Sequence, residues 1–123
     1  MKKLLVLVLL SFALFGCQAT KEGSKCIEIT IVYAEENVND EIEVCTDAEY
    51  LAGMLDEVKD EIELEITSSD FGDYVSGLKG FNFETLGISY YWAIYVNGDY
   101  GMYGISDQPV EDGDEFEFRA ESY

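Results

Sequence analysis

Tyr90-Tyr91-Trp92-Ala93-Ile94-Tyr95-Val96-Asn97-Gly98-Asp99-Tyr100-Gly101-Met102-Tyr103 is the stretch on which the reading of this chain turns. Bulky residues run up to an Asn-Gly pair and resume beyond it. Both turn residues tolerate the positive φ that a type I′ turn requires, so the spacing predicts a β-hairpin. With Val96 facing Asp99, the register sets Ile94 opposite Gly101 and Trp92 opposite Tyr103. A glycine among large rings would leave open backbone, and with it a slot for a ligand. Aromatic residues are also ordinary strand residues, and a single aromatic hairpin is more often core than site.

Working outward, Glu115-Phe116-Glu117-Phe118-Arg119-Ala120 alternates and directs Phe116 and Phe118 inward, after a tight turn at Asp112-Gly113-Asp114. That turn is acidic but lacks the twelve-residue spacing of a calcium loop. Upstream, Glu61 to Thr67 alternates strictly and predicts a strand with Ile62, Leu64 and Ile66 inward. Between Ser68 and Ser89 the pattern is weakest: a second hairpin or an irregular strand, then a glycine-rich loop. Phe81, Phe83 and Leu86 there read as a plug beneath the loop or as the rim of a binding surface.

The amino-terminal half is more regular. Ile27, Ile29, Ile31 and Tyr33 share one face of a strand, and Ile42 and Val44 share one face of the next. Pairing positions whose numbers sum to 71 sets Ile27 against Val44 and Ile29 against Ile42, and brings Cys26 directly opposite Cys45. In an exported chain two cysteines so placed read as a disulfide. Thr46-Asp47-Ala48-Glu49 has the form of a capping box opening a helix, in which Leu51, Met54, Leu55 and Val58 recur on one buried face. The acidic groups on the back of that helix read as a solvated face and not as a metal site.

Residues 1–16 read as a secretory signal: Met1-Lys2-Lys3, then an apolar run too short to span a bilayer permanently. Leu14-Phe15-Gly16-Cys17 resembles a bacterial lipobox, which implies lipid on Cys17; a plain signal cut nearby would leave that thiol free. Residues 17–25 are a polar tether and 26–123 one small domain. Lipid would hold it on the outer side of a cytoplasmic membrane, or in the outer membrane of a host with two. The 26 acidic groups against seven basic ones, net charge −19, exclude a nucleic-acid partner, whose binding needs Lys and Arg. The acidity suits cationic partners or divalent ions, or simply solubility.

The ordered set Tyr91-Trp92, Tyr95-Val96-Asn97-Gly98, Gly104-Ile105-Ser106-Asp107, Val110-Glu111-Asp112-Gly113-Asp114 and Phe116-Glu117-Phe118, with the helix of residues 46–58, resembles the transcobalamin-like carboxy-terminal domain family. The resemblance covers about residues 26–121. It implies an α+β, β-grasp-like mixed sheet with one helix packed across it, which agrees with the order of elements read above. It also implies a lid-like aromatic surface that touches a corrin ring, and hence Trp92, Tyr90, Tyr91, Tyr95 and Tyr103 as ligand-binding candidates. The vitamin carriers have a helical domain that this chain does not show, and no histidine stands here to ligate cobalt. Without histidine, and with its cysteines lipidated or paired, the chain lacks the usual nucleophile and base pairs, so no catalytic residue, metal or cofactor is expected. Two readings remain: a module for a corrinoid or other flat apolar ligand, or an envelope protein-interaction module.

Overall fold

The computed structural model describes residues 23–123; the residues read as a signal sequence, Cys17 and most of the stretch read as a tether lie outside the described residues. Strands β1 (Lys25–Tyr33) and β2 (Val38–Thr46) pair antiparallel in the register expected, from Lys25 opposite Thr46 to Tyr33 opposite Val38. The turn between them carries Asn37 at φ 57°, a left-handed position that asparagine tolerates. Cys26 and Cys45 face each other and are joined as a disulfide. Ser24, inside the stretch read as tether, is already tied down by its N–H and Oγ, which donate to Asp47 at 2.9 and 2.8 Å.

A five-stranded mixed sheet follows, in the order β2-β1-β8-β6-β7, with β6 at Tyr90–Val96, β7 at Asp99–Tyr100 and β8 at Glu115–Ser122. The last strand sits in the middle, parallel to β1 and antiparallel to β6. Rows of apolar side chains therefore cross the sheet: Ile42, Ile29, Phe116 and Val96 in one, Ile31, Phe118 and Ile94 in the next. Helix α1 (Leu51–Glu57) packs on this face through Leu51, Met54 and Leu55, with Val58 just beyond its end, all fully buried. The α+β class and the mixed sheet with a helix across it are thus observed.

Two local readings change. The helix does not begin at a capping box, because Thr46 is fully buried and employed elsewhere: its Oγ1 donates to Glu57 at 2.6 Å and accepts the Ala48 N–H at 3.0 Å. The first helical N–H groups are satisfied by main chain instead, Leu51 donating to Gln108 O and Ala52 to Ile105 O, both at 2.9 Å. Residues 61–67 do not form one strand of the main sheet. The chain winds through turns to Glu63, at φ 50°, and only then enters β3 (Glu65–Ser69), with a bulge at Glu65/Ile66. Ile62 is consequently buried but Ile66 is exposed. Strand β3 belongs to a second, three-stranded sheet with β4 (Gly72–Leu78) and β5 (Phe81–Asn82). A four-residue helix α2 (Phe83–Leu86) closes it, capped by Asn82 Oδ1, which accepts the Thr85 N–H.

Replacing both Cys26 and Cys45 by serine should lower the unfolding free energy by about 3 kcal/mol, the chain-entropy value for a loop of that length. Urea denaturation measures it, and unreduced wild-type protein should resist alkylation at both positions.

Candidate functional site

The hairpin of β6 and β7 forms at Asn97-Gly98 but is short. Tyr95 pairs with Tyr100 and Val96 with Asp99; the Gly101 N–H then donates to Ile94 O at 2.8 Å and pairing ends. A side chain at Gly101 would meet that carbonyl at 3.1 Å, so the glycine permits this approach. Beyond it the chain swings away, because Ile105 and Gln108 must reach the start of α1 to accept its N–H groups. Trp92 therefore does not face Tyr103 as expected. It lies opposite Ala120 of β8, while Tyr103 projects to solvent, 62 % exposed.

Where the missing pairing would have been, a cavity of about 290 Å³ opens. Strand β4 forms one wall through Asp73, Tyr74, Val75 and Ser76, and α2 adds Phe83 and Glu84. Tyr90, Tyr91, Trp92 and Ile94 of β6 form the other wall, with Gly104, Ile105 and the terminal Tyr123 at its ends. Trp92 is part of the structure of the site more than of its surface, at 5 % exposure. Its Nε1 donates to Phe81 O at 3.1 Å, and its ring lies 5.2 Å from Phe83 and 6.3 Å from Tyr33. Phe81 and Phe83 are thus the plug, both packed edge-on against Tyr33, whereas Leu86 stands out at 51 % exposure.

The five aromatic candidates separate by strand parity. Tyr90 and Trp92 share the helix-side face, and Tyr91 reaches the cavity from the opposite side, stacked on Tyr123 at 5.4 Å. Tyr95, four residues further along on that outer face, is not at the cavity. It donates to Glu121 and carries the Arg119 guanidinium 4.6 Å above its ring, and Arg119 is in turn held by Glu117. Glu84 and Tyr74 went unnoticed in the sequence; Tyr74 Oη donates to Glu84 at 2.7 Å across the cavity mouth.

These phenols have carboxylate or phenol partners, and the partners suppress ionisation. Tyr90 is raised above its ordinary pKa first by its hydrogen bond to Glu35, and Tyr74 first by its bond to Glu84. Tyr95 is raised first by the bond to Glu121, and Tyr91 first by its contact with Tyr100, 3.5 Å away. Among the described residues no three His, Cys, Asp or Glu side chains converge to hold a metal ion. No helix of the described residues is long and apolar enough to cross a membrane.

Residues 54–122 match the pattern of a family described as a domain of unknown function, DUF4430. The chain belongs to that family. No curated protein matches it. Among solved structures, the DUF4430 chain is similar to a proposed metal binding protein from Ruminococcus gnavus ATCC 29149, at 22% identity and a TM-score of 0.70. That match covers 81% of this chain and 99% of the other. It is also similar to haptocorrin in complex with Cbi, at 16% identity and a TM-score of 0.65, over 80% of this chain and 25% of haptocorrin. The chain therefore spans about a quarter of haptocorrin's length. At these identities the likeness is one of fold.

Because the folded-state pKa of these tyrosines is raised, their contribution to stability is whole below the unfolded value near 10 and is lost as pH rises through the folded value. Absorbance at 295 nm should show a subset of the nine tyrosines ionising later in folded than in urea-unfolded protein, with thermal stability falling above pH 10. Coincident titrations of the two states would contradict this.

Proposed function

We propose that this chain is a non-enzymatic binding module, carried on the outer side of a bacterial membrane by lipid on Cys17, that receives a flat apolar ligand of corrinoid type at the cavity beside β6. The observation that carries the reading is the cavity itself. Its walls are rings from Tyr74, Phe83, Tyr90, Tyr91 and Trp92: Phe83, Tyr90 and Trp92 are held by packing on Tyr33 and by the Trp92–Phe81 hydrogen bond, Tyr91 by stacking on Tyr123, and Tyr74 by its hydrogen bond to Glu84. Ring faces held in place bind flat apolar molecules with little ordering cost. A volume of about 290 Å³ lies at the lower edge of the range for small-molecule sites. It takes a small aromatic ligand whole, or grips one edge of a molecule as large as a corrin.

The corrinoid assignment is supported by the shared fold with haptocorrin, a protein seen in complex with Cbi. The likeness to a proposed metal binding protein supports a resident ion less well, since the described residues lack a converging set of ligands. A second reading, the envelope protein-interaction module, is favoured by a different observation: among the described residues, β7 stops short of Trp92 and leaves it outside any β-ladder on the cavity side.

Trp92 is the single tryptophan, so its emission reports occupancy directly. Titration with cobinamide and with cobalamin should quench it, and Tyr91→Ala, which removes a wall ring without touching the Trp92 packing, should weaken binding about tenfold, as expected for one lost aromatic contact near 1.4 kcal/mol. Absence of both quenching and calorimetric heat at millimolar ligand would remove the corrinoid assignment.

A further inference from the structure

The polar groups of the β6 main chain alternate in direction. Asn97 N–H donates to Glu115 O, toward β8, whereas Ile94 O accepts from Gly101, away from β8. Trp92, two residues from Ile94, therefore turns its N–H and C=O away from β8 as well. Strand β7 ends at Tyr100 and does not reach it, so among the described residues neither group is paired in a β-ladder on that side. Trp92 is only 5 % exposed and lines the cavity, and a buried residue outside any ladder on one side is unusual. On the facing wall, β4 likewise pairs with β5 only at Gly77 and Leu78.

We propose that this gap is the place of a strand supplied by a partner: an extended basic peptide segment that adds to the edge of β6 at Trp92. The inference rests on the cavity being the binding site and concerns the protein-interaction reading of it. Strand addition supplies the missing pairing by main-chain hydrogen bonds, and alternate side chains of the incoming segment meet the two rims. The charge of the rim selects the partner. Asp73 accepts a hydrogen bond from Ser68 and Glu84 one from Tyr74, and neither forms an ion pair with a lysine or arginine among the described residues. The chain as a whole carries a net charge of −19. Acidic segments are repelled by this field, and lysine- or arginine-bearing ones are drawn to it.

The test uses the full lipidated chain in neutral-lipid nanodiscs and a capped octapeptide alternating valine and lysine, which contains no tryptophan. Trp92 emission and calorimetry should show binding at least about tenfold tighter than for the valine-glutamate analogue, a difference of about 1.4 kcal/mol. Two further peptides carry N-methyl groups on the valines or on the lysines. One of the two should lose binding, because only alternate N–H groups of an added strand face β6. Asp73→Asn with Glu84→Gln should weaken the lysine peptide while leaving the fold intact by circular dichroism. Equal binding of the basic and acidic peptides, or full binding of both N-methylated peptides, would overturn the proposal. Cobinamide run in parallel separates the readings: quenching by cobinamide with no peptide effect sinks strand addition and keeps the flat-ligand assignment, and the converse result keeps strand addition alone.

Discussion

Phe118 holds the molecule together from the middle of its main sheet. It faces Ile31 across the parallel ladder and Ile94 across the antiparallel one, and it is fully buried beneath α1. Phe116 does the same between Ile29 and Val96. Because β8 is the last strand made and the central one placed, the sheet closes only when the carboxy-terminal segment inserts between the two halves of the chain. Burying a phenylalanine contributes on the order of 2 kcal/mol, and truncating one to alanine costs about 3–5 kcal/mol. The site depends on this indirectly, since β8 sets the position of β6 and hence of Tyr90, Tyr91 and Trp92.

The part of the fold that could be read from the residues is the part governed by short-range pattern. Alternation placed Ile27, Ile29, Ile31, Phe116 and Phe118 inside, and one pairing rule aligned both the apolar rows and the Cys26–Cys45 bridge. What could not be read depends on contacts distant in the chain. Thr46 and Glu49 have the form of a cap, but the start of α1 is met by carbonyls from residues 105 and 108, so Thr46 is released to bond Glu57. Alternation at residues 61–67 is genuine, yet Glu63 adopts a positive φ and a bulge follows, which moves Ile66 to the surface of a separate sheet.

The candidate site shows the same division. Tyr90, Tyr91 and Trp92 were identifiable as a concentration of rings, and the structure does bring them to one cavity. Tyr95 and Tyr103 were identifiable in the same way and lie elsewhere: Tyr95 shares a face with Tyr91 but sits four residues further along, against Glu121 and Arg119, and the early end of β7 leaves Tyr103 in solvent. Tyr74, Phe83 and Glu84 complete the cavity from a sheet whose position relative to β6 no local pattern specifies. The sequence signal for the opening was Gly101, which permits close approach for one more hydrogen bond and marks where the hairpin stops.

The proposed strand addition depends on β6 having an open edge at Trp92, beside the cavity. Residue-resolved amide hydrogen exchange on the unliganded protein tests that most directly. Tyr91 and Ala93, whose main chains face β8, should be strongly protected, and the Trp92 amide should exchange at least about a hundredfold faster, the span between an opened group and a sheet-bonded one. Equal protection of all three amides would contradict the account, since it would mean that the edge is already filled.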